Sequence, residues 1–223
     1  MILAGMAVRG AAVRRVTAVS QPIRLPDRQP TPYDETARVL AVSVLALSLL
    51  YTVVSVLAEV PTGLAALDYA AGRDPGTPTL IAGGVLAVGS VLLLLPLWIV
   101  TSLWLRAERR RLQGRRQFKN GTAGTFVSWV LPFANLVWPF FVVREVHEAA
   151  VEPSRRLSLG SWWALWLLAL FAGRISARLF GDQALGEPAG AVLATSAVYC
   201  LLLVGAAVLW VRIVRTTSRG HGS

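Results

Sequence analysis

Between Val39 and Ala58 twenty residues pass without a charged side chain, and that run alone dictates the medium in which the chain can fold. A helix of that length rises about 30 Å, the thickness of one hydrocarbon core. Comparable apolar runs follow over Leu80–Leu105, from Leu157 to about Phe180, and over Ala189–Val211. Lipid offers no water to satisfy backbone N–H and C=O groups, so runs of this kind are expected as helices. Composition agrees: 55% of the 223 residues are hydrophobic and 15% charged, well off the composition of a water-soluble domain. The expected fold class is therefore an all-α integral membrane protein.

One apolar stretch does not read as an ordinary span. From Thr125 to Glu148 the chain runs TFVSWVLPFANLVWPFFVVREVHE, apolar but twice interrupted by proline. Pro132 and Pro139 lack an N–H, so in a helix they free the carbonyls of Ser128 and Asn135. Asn135 lies between the two breaks and is a good N-cap for a helix starting at Leu136, which tolerates Pro139 in its first turn. The distribution of cations arbitrates whether the stretch crosses. If it does not, 19 of the 22 Lys and Arg residues fall on one side, leaving Arg73, Arg174 and Arg178; if it does, the split is 15 to 7. The expected architecture is four transmembrane helices plus one proline-broken re-entrant or interfacial helix pair, with five transmembrane helices as the alternative. Both termini are then cytoplasmic.

The flanks and loops follow from local chemistry. Residues 1–36 combine five arginines with Pro22, Pro26, Pro30 and Pro32 and read as a disordered basic cytoplasmic tail. Arg9, Arg14 and Arg15 interrupt the only candidate signal-peptide core. Residues 37–215 form the helical membrane domain and 216–223 a short cytoplasmic tail. Glu59–Thr79 is expected as a loop broken by Pro61, Pro75 and Pro78, with a short surface helix over LAALDYAAG. Trp98, Trp104, Trp162, Trp163 and Trp166 are expected at the headgroup boundary. Small residues four apart, Gly83 with Ala87, Ala169 with Gly173 and Gly190 with Ala194, would admit close helix approach.

The candidate polar site comprises Asn135, Pro132, Pro139, Arg144, Glu145 and Arg174. Broken helices at membrane depth coordinate ions or polar solutes through freed carbonyls; equally, Asn135 could only cap a half-helix. Arg144, Glu145 and Glu148 read as surface charges, Arg144 pairing Glu148 one turn on. Arg174 either snorkels to the interface or faces a cavity at the Asn135 break. His147-Glu148 lacks the second histidine of a zinc-protease helix, because that position is Val151. No metal or cofactor is expected, and the single Cys200 forms no intramolecular disulfide.

The run WVLPFANLVWPFFVVREVHEAA, with the basic RLQGRRQFKNG before it and SWWALWLLAL after it, resembles the bacterial multi-pass membrane proteins of domain-of-unknown-function family 4328. Trp129, Pro132, Asn135, Pro139 and Glu145 match that family's Trp-x-x-Pro-x-x-Asn-x-x-x-Pro pattern and following Glu, over roughly Val39 to Val214. The chain departs from the family at Val146-His147, where a Trp is common. The resemblance implies a multi-pass protein of a bacterial plasma membrane and carries no activity. A net charge of +10 clustered beside apolar runs points to anionic headgroups rather than nucleic acid. The expected function is non-enzymatic, a scaffold or regulator with a basic cytoplasmic surface and a possible homo-oligomeric or other membrane-protein partner. The alternative is a small channel or transporter subunit using the Pro132–Pro139 break.

Overall fold

The computed structural model describes residues 32–112, 137–182 and 188–219, and the described chain is helical throughout apart from short connections. Helix α1 covers Pro32–Ala70, α2 Thr77–Leu112, α3 Trp138–Ala150, α4 Leu159–Gly181 and α5 Ala189–Arg219. Four of them, α1, α2, α4 and α5, are long and apolar enough to cross a membrane, as the uncharged runs require. The 13-residue α3 rises only about 20 Å and is too short to cross.

Helices α1 and α2 form one antiparallel hairpin, α4 and α5 a second, and α1 packs against α5 to join them. Side chains facing away from these contacts are left for lipid: Val85, Leu92 and Leu201 stand out from the bundle, Leu201 with 75% of its surface exposed. The first turn of α1 holds Asp34 and Glu35, and the last turn of α2 holds Arg109, Arg110 and Arg111. Each set opposes the partial charge of its helix terminus.

Two expectations are corrected. Glu59–Thr79 is not a loop up to Ala70, because α1 continues through Pro61. Pro61 is buried and packs against the position of Gly83, whose Cβ would lie 3.5 Å from the proline ring, so tertiary contact offsets the lost backbone bond. Several of the tryptophans expected near the span ends pack into the bundle. Trp104, Trp162, Trp163 and Trp210 are buried together, with Trp162 stacked on Trp210 at 4.7 Å and Trp104 edge-on to it at 6.0 Å. Indoles placed this way bury their full apolar area while their N–H groups find partners. Trp210 donates to Ser48 Oγ at 3.0 Å and Trp104 to Ser218 Oγ at 3.3 Å. The second correction concerns the start of α3, which begins at Trp138 rather than Leu136 and is flanked by Val137 with no side-chain cap. Asn135, expected in that role, lies outside the described residues, as do Trp129 and Pro132. Pro139 occupies the first turn, the position that tolerates it.

Candidate functional site

The start of α1, the end of α2, all of α3, the start of α4 and the end of α5 gather at one end of the bundle, here the basic end. Helix α3 lies across it because its apolar residues recur at helical spacing. Pro139, Val142, Val143, Val146, His147 and Ala150 are buried, a stripe at i, i+3, i+4, i+7, i+8 and i+11. On its other side Val137, Trp138 and Phe141 are exposed, so the helix also presents apolar surface outward.

Charged side chains pin α3 in place. Arg109 Nη2 lies 2.9 Å from Glu145 Oε2, joining α2 to α3 across 36 residues of sequence. Glu108, fully buried, is reached by Arg111 at 2.7 Å and accepts a 3.3 Å bond from Ser218 Oγ of α5. Arg111 also lies 3.8 Å from Asp34 at the start of α1. Arg144 and Glu148 form the expected pair one turn apart, at 2.6 Å on the exposed side of α3.

His147, fully buried, is the hinge between three segments. The backbone N–H of Leu157 donates to His147 Nε2 at 3.3 Å, so Nε2 must carry a lone pair. The proton then resides on Nδ1, which donates to Thr217 Oγ1 at 2.9 Å; that hydroxyl in turn donates to the Ile213 carbonyl at 2.7 Å. Burial pushes the imidazole pKa below its ordinary value, aided by the cation of Arg156 and opposed by Glu148. A neutral ring with one defined tautomer follows, tying α3 to α5 and to the connection before α4.

Charges that face water at this end are mostly cationic. Arg110, Arg144, Arg212, Arg215 and Arg219 are exposed, as are Arg38, Arg155 and Arg156, against only Glu35 and Glu152 among exposed carboxylates of the described residues there. The opposite, distal end carries Arg73, Arg174 and Arg178 against Glu59, Asp68, Asp74 and Asp182. Arg174 is exposed there, about 22 Å along α4 from its start, so the structure does not bring it to Glu145 and Arg144.

Sequence reasoning singled out Glu145 and Arg144 but missed Glu108, Arg109 and the structural part of His147. The stripe that buries Val142, Val143 and Val146 also contains position 147, and that periodicity was the available signal. The model of the family described as Domain of unknown function (DUF4328) matches residues 79–219. It spans α2 to α5, both partners of the Arg109–Glu145 pair included, and leaves α1 outside. No curated protein and no solved structure matches the chain.

Proposed function

The chain belongs to the DUF4328 family, and from that premise we propose that it is a non-enzymatic integral membrane scaffold or regulator whose basic end faces the cytoplasm and engages anionic headgroups or an acidic partner. The observation that carries this reading is the partition of charge at the basic end. Inward-facing Glu108, Arg109, Arg111 and Glu145 pair with one another or their neighbours, whereas outward-facing cations outnumber exposed acids. Arginines near an anionic surface contribute about 1 kcal/mol each. The apolar flank of α3 formed by Trp138 and Phe141 suits a helix lying at the headgroup level. The non-enzymatic assignment is supported by His147, whose two ring nitrogens are both engaged, and by Glu145, held by Arg109.

The test compares the full chain in phosphatidylcholine bilayers and in phosphatidylglycerol-rich bilayers. Thermal stability should be higher in the anionic lipid, with the gain removed by high salt and by the combined Arg110→Gln, Arg212→Gln, Arg215→Gln and Arg219→Gln variant. Equal stability in the two lipids would remove the headgroup reading.

A further inference from the structure

We infer that the distal end of the bundle holds a binding site for a primary ammonium group, with Glu59 as its counter-ion. The site is a cavity of about 350 Å³ between α1, α2 and α4, within the size range of small-ligand pockets, about 300–1,000 Å³. Glu59 and Thr62 of α1, Thr79 of α2 and Ser176 of α4 supply its polar atoms, and small residues such as Gly83 and Gly84 supply much of the rest.

The carboxylate is held from behind. Ser196 Oγ donates to Glu59 Oε2 at 2.6 Å, which commits the only hydroxyl proton of Ser196. The 2.8 Å contact between Ser176 and Ser196 is then a bond donated by Ser176. A relay of two hydroxyls across α4 and α5 thus points at one oxygen of Glu59 and orients the group. Among the described residues no cation lies within ion-pairing distance of Glu59, which leaves its carboxylate open to a cationic ligand in the cavity. Arg73 is taken by Asp68 at 2.7 Å, and Arg178 lies 3.9 Å from Asp182. Neither Arg174 nor Arg178 lines the cavity.

The lining favours an ammonium over a metal ion. Calcium takes six to eight oxygens, several of them carboxylate, and Glu59 is the only carboxylate in the wall among the described residues. An –NH3+ group needs up to three acceptors. Glu59 provides one, and Thr62 Oγ1, whose proton is given to the Ala58 carbonyl at 3.1 Å, keeps lone pairs for a second. A phosphatidylethanolamine headgroup and a free small amine present the same chemistry.

Two arms separate those sources, both using the full chain. In detergent, binding of ethanolamine is measured by calorimetry for wild type, Glu59→Gln and Gly84→Leu. In vesicles, thermal stability is compared between phosphatidylethanolamine and phosphatidylcholine for the same three proteins. Gln keeps an acceptor for Ser196, and a Cβ at Gly84 meets nothing within 4 Å, so Gly84→Leu fills the cavity with Glu59 intact. Saturable ethanolamine binding weakened at least tenfold by both variants assigns the site to a free amine. A stabilisation specific to phosphatidylethanolamine and lost in both variants, without ethanolamine binding, assigns it to the lipid. Neither effect in wild type, or effects retained in Gly84→Leu, overturns the proposal.

Discussion

Arg109 and Glu145 lie 36 positions apart in the chain and meet at 2.9 Å, with only 6% and 19% of their side-chain surfaces exposed. The pair fixes the end of α2 beside α3. Leu112 and Val137 therefore stand at the same end of the bundle.

Accessibility of introduced cysteines tests that arrangement. In a Cys200→Ala background, Glu152→Cys and Arg110→Cys should be labelled by an impermeant thiol reagent from the same side of the membrane, and Asp74→Cys from the other. Labelling of positions 152 and 110 from opposite sides would restore the five-helix alternative.

Breaking the Arg109–Glu145 pair should be costly. Glu145→Ala removes the acid paired with a guanidinium that is nearly buried, and removal of one partner of such a pair costs about 3 kcal/mol. The more exposed Arg144–Glu148 pair should contribute about 0.5 kcal/mol or less. Thermal or denaturant unfolding in detergent should rank Glu145→Ala well below Glu148→Ala. The Arg109→Met, Glu145→Leu double variant should recover much of the loss.

Acid should loosen α3. The His147 pKa lies below its ordinary value, so the unfolded chain binds a proton that the folded chain refuses. Stability is then fully present above about pH 6.5, the ordinary histidine value, and falls as the pH drops toward the folded pKa, by at most about 1.4 kcal/mol per pH unit. Protonation at Nε2 would also break the bond from Leu157. Melting temperatures measured from neutral to mildly acidic pH should decline in wild type and decline less in His147→Gln.

Glycines at helix contacts and glycines in open space should respond oppositely to the same change. A Cβ at Gly173 would lie 3.1 Å from the Tyr199 ring, whereas one at Gly190 meets nothing within 4 Å. Gly173→Ala should lower stability by about 1 kcal/mol through overpacking between α4 and α5. Gly190→Ala should be neutral or stabilising, because alanine favours the helix. Similar losses at both positions would refute the assigned helix contact.

The four spans were legible because long runs of nearly uncharged residues have few alternatives in lipid; their ends were not. Helix α1 passes Glu59 and Pro61 because the partner surface at Gly83 receives the proline, and a neighbour 22 residues on leaves no mark in a local pattern. Tryptophans near span ends read as boundary residues, yet Trp104 and Trp210 meet across two helices, which only the tertiary arrangement decides. The Arg144–Glu148 pair was readable from its spacing, whereas Glu145 looked like one more surface acid because its partner Arg109 lies on another helix.

The division between inward and outward charges at the basic end lets two properties drift apart in evolution. Exchanging an outer arginine for lysine leaves the inner ion pairs untouched. The same exchange at Arg109 or Arg111 would lose the planar fork that meets a carboxylate. The outer arginines can therefore change at little structural risk, provided those two guanidinium groups stay in place.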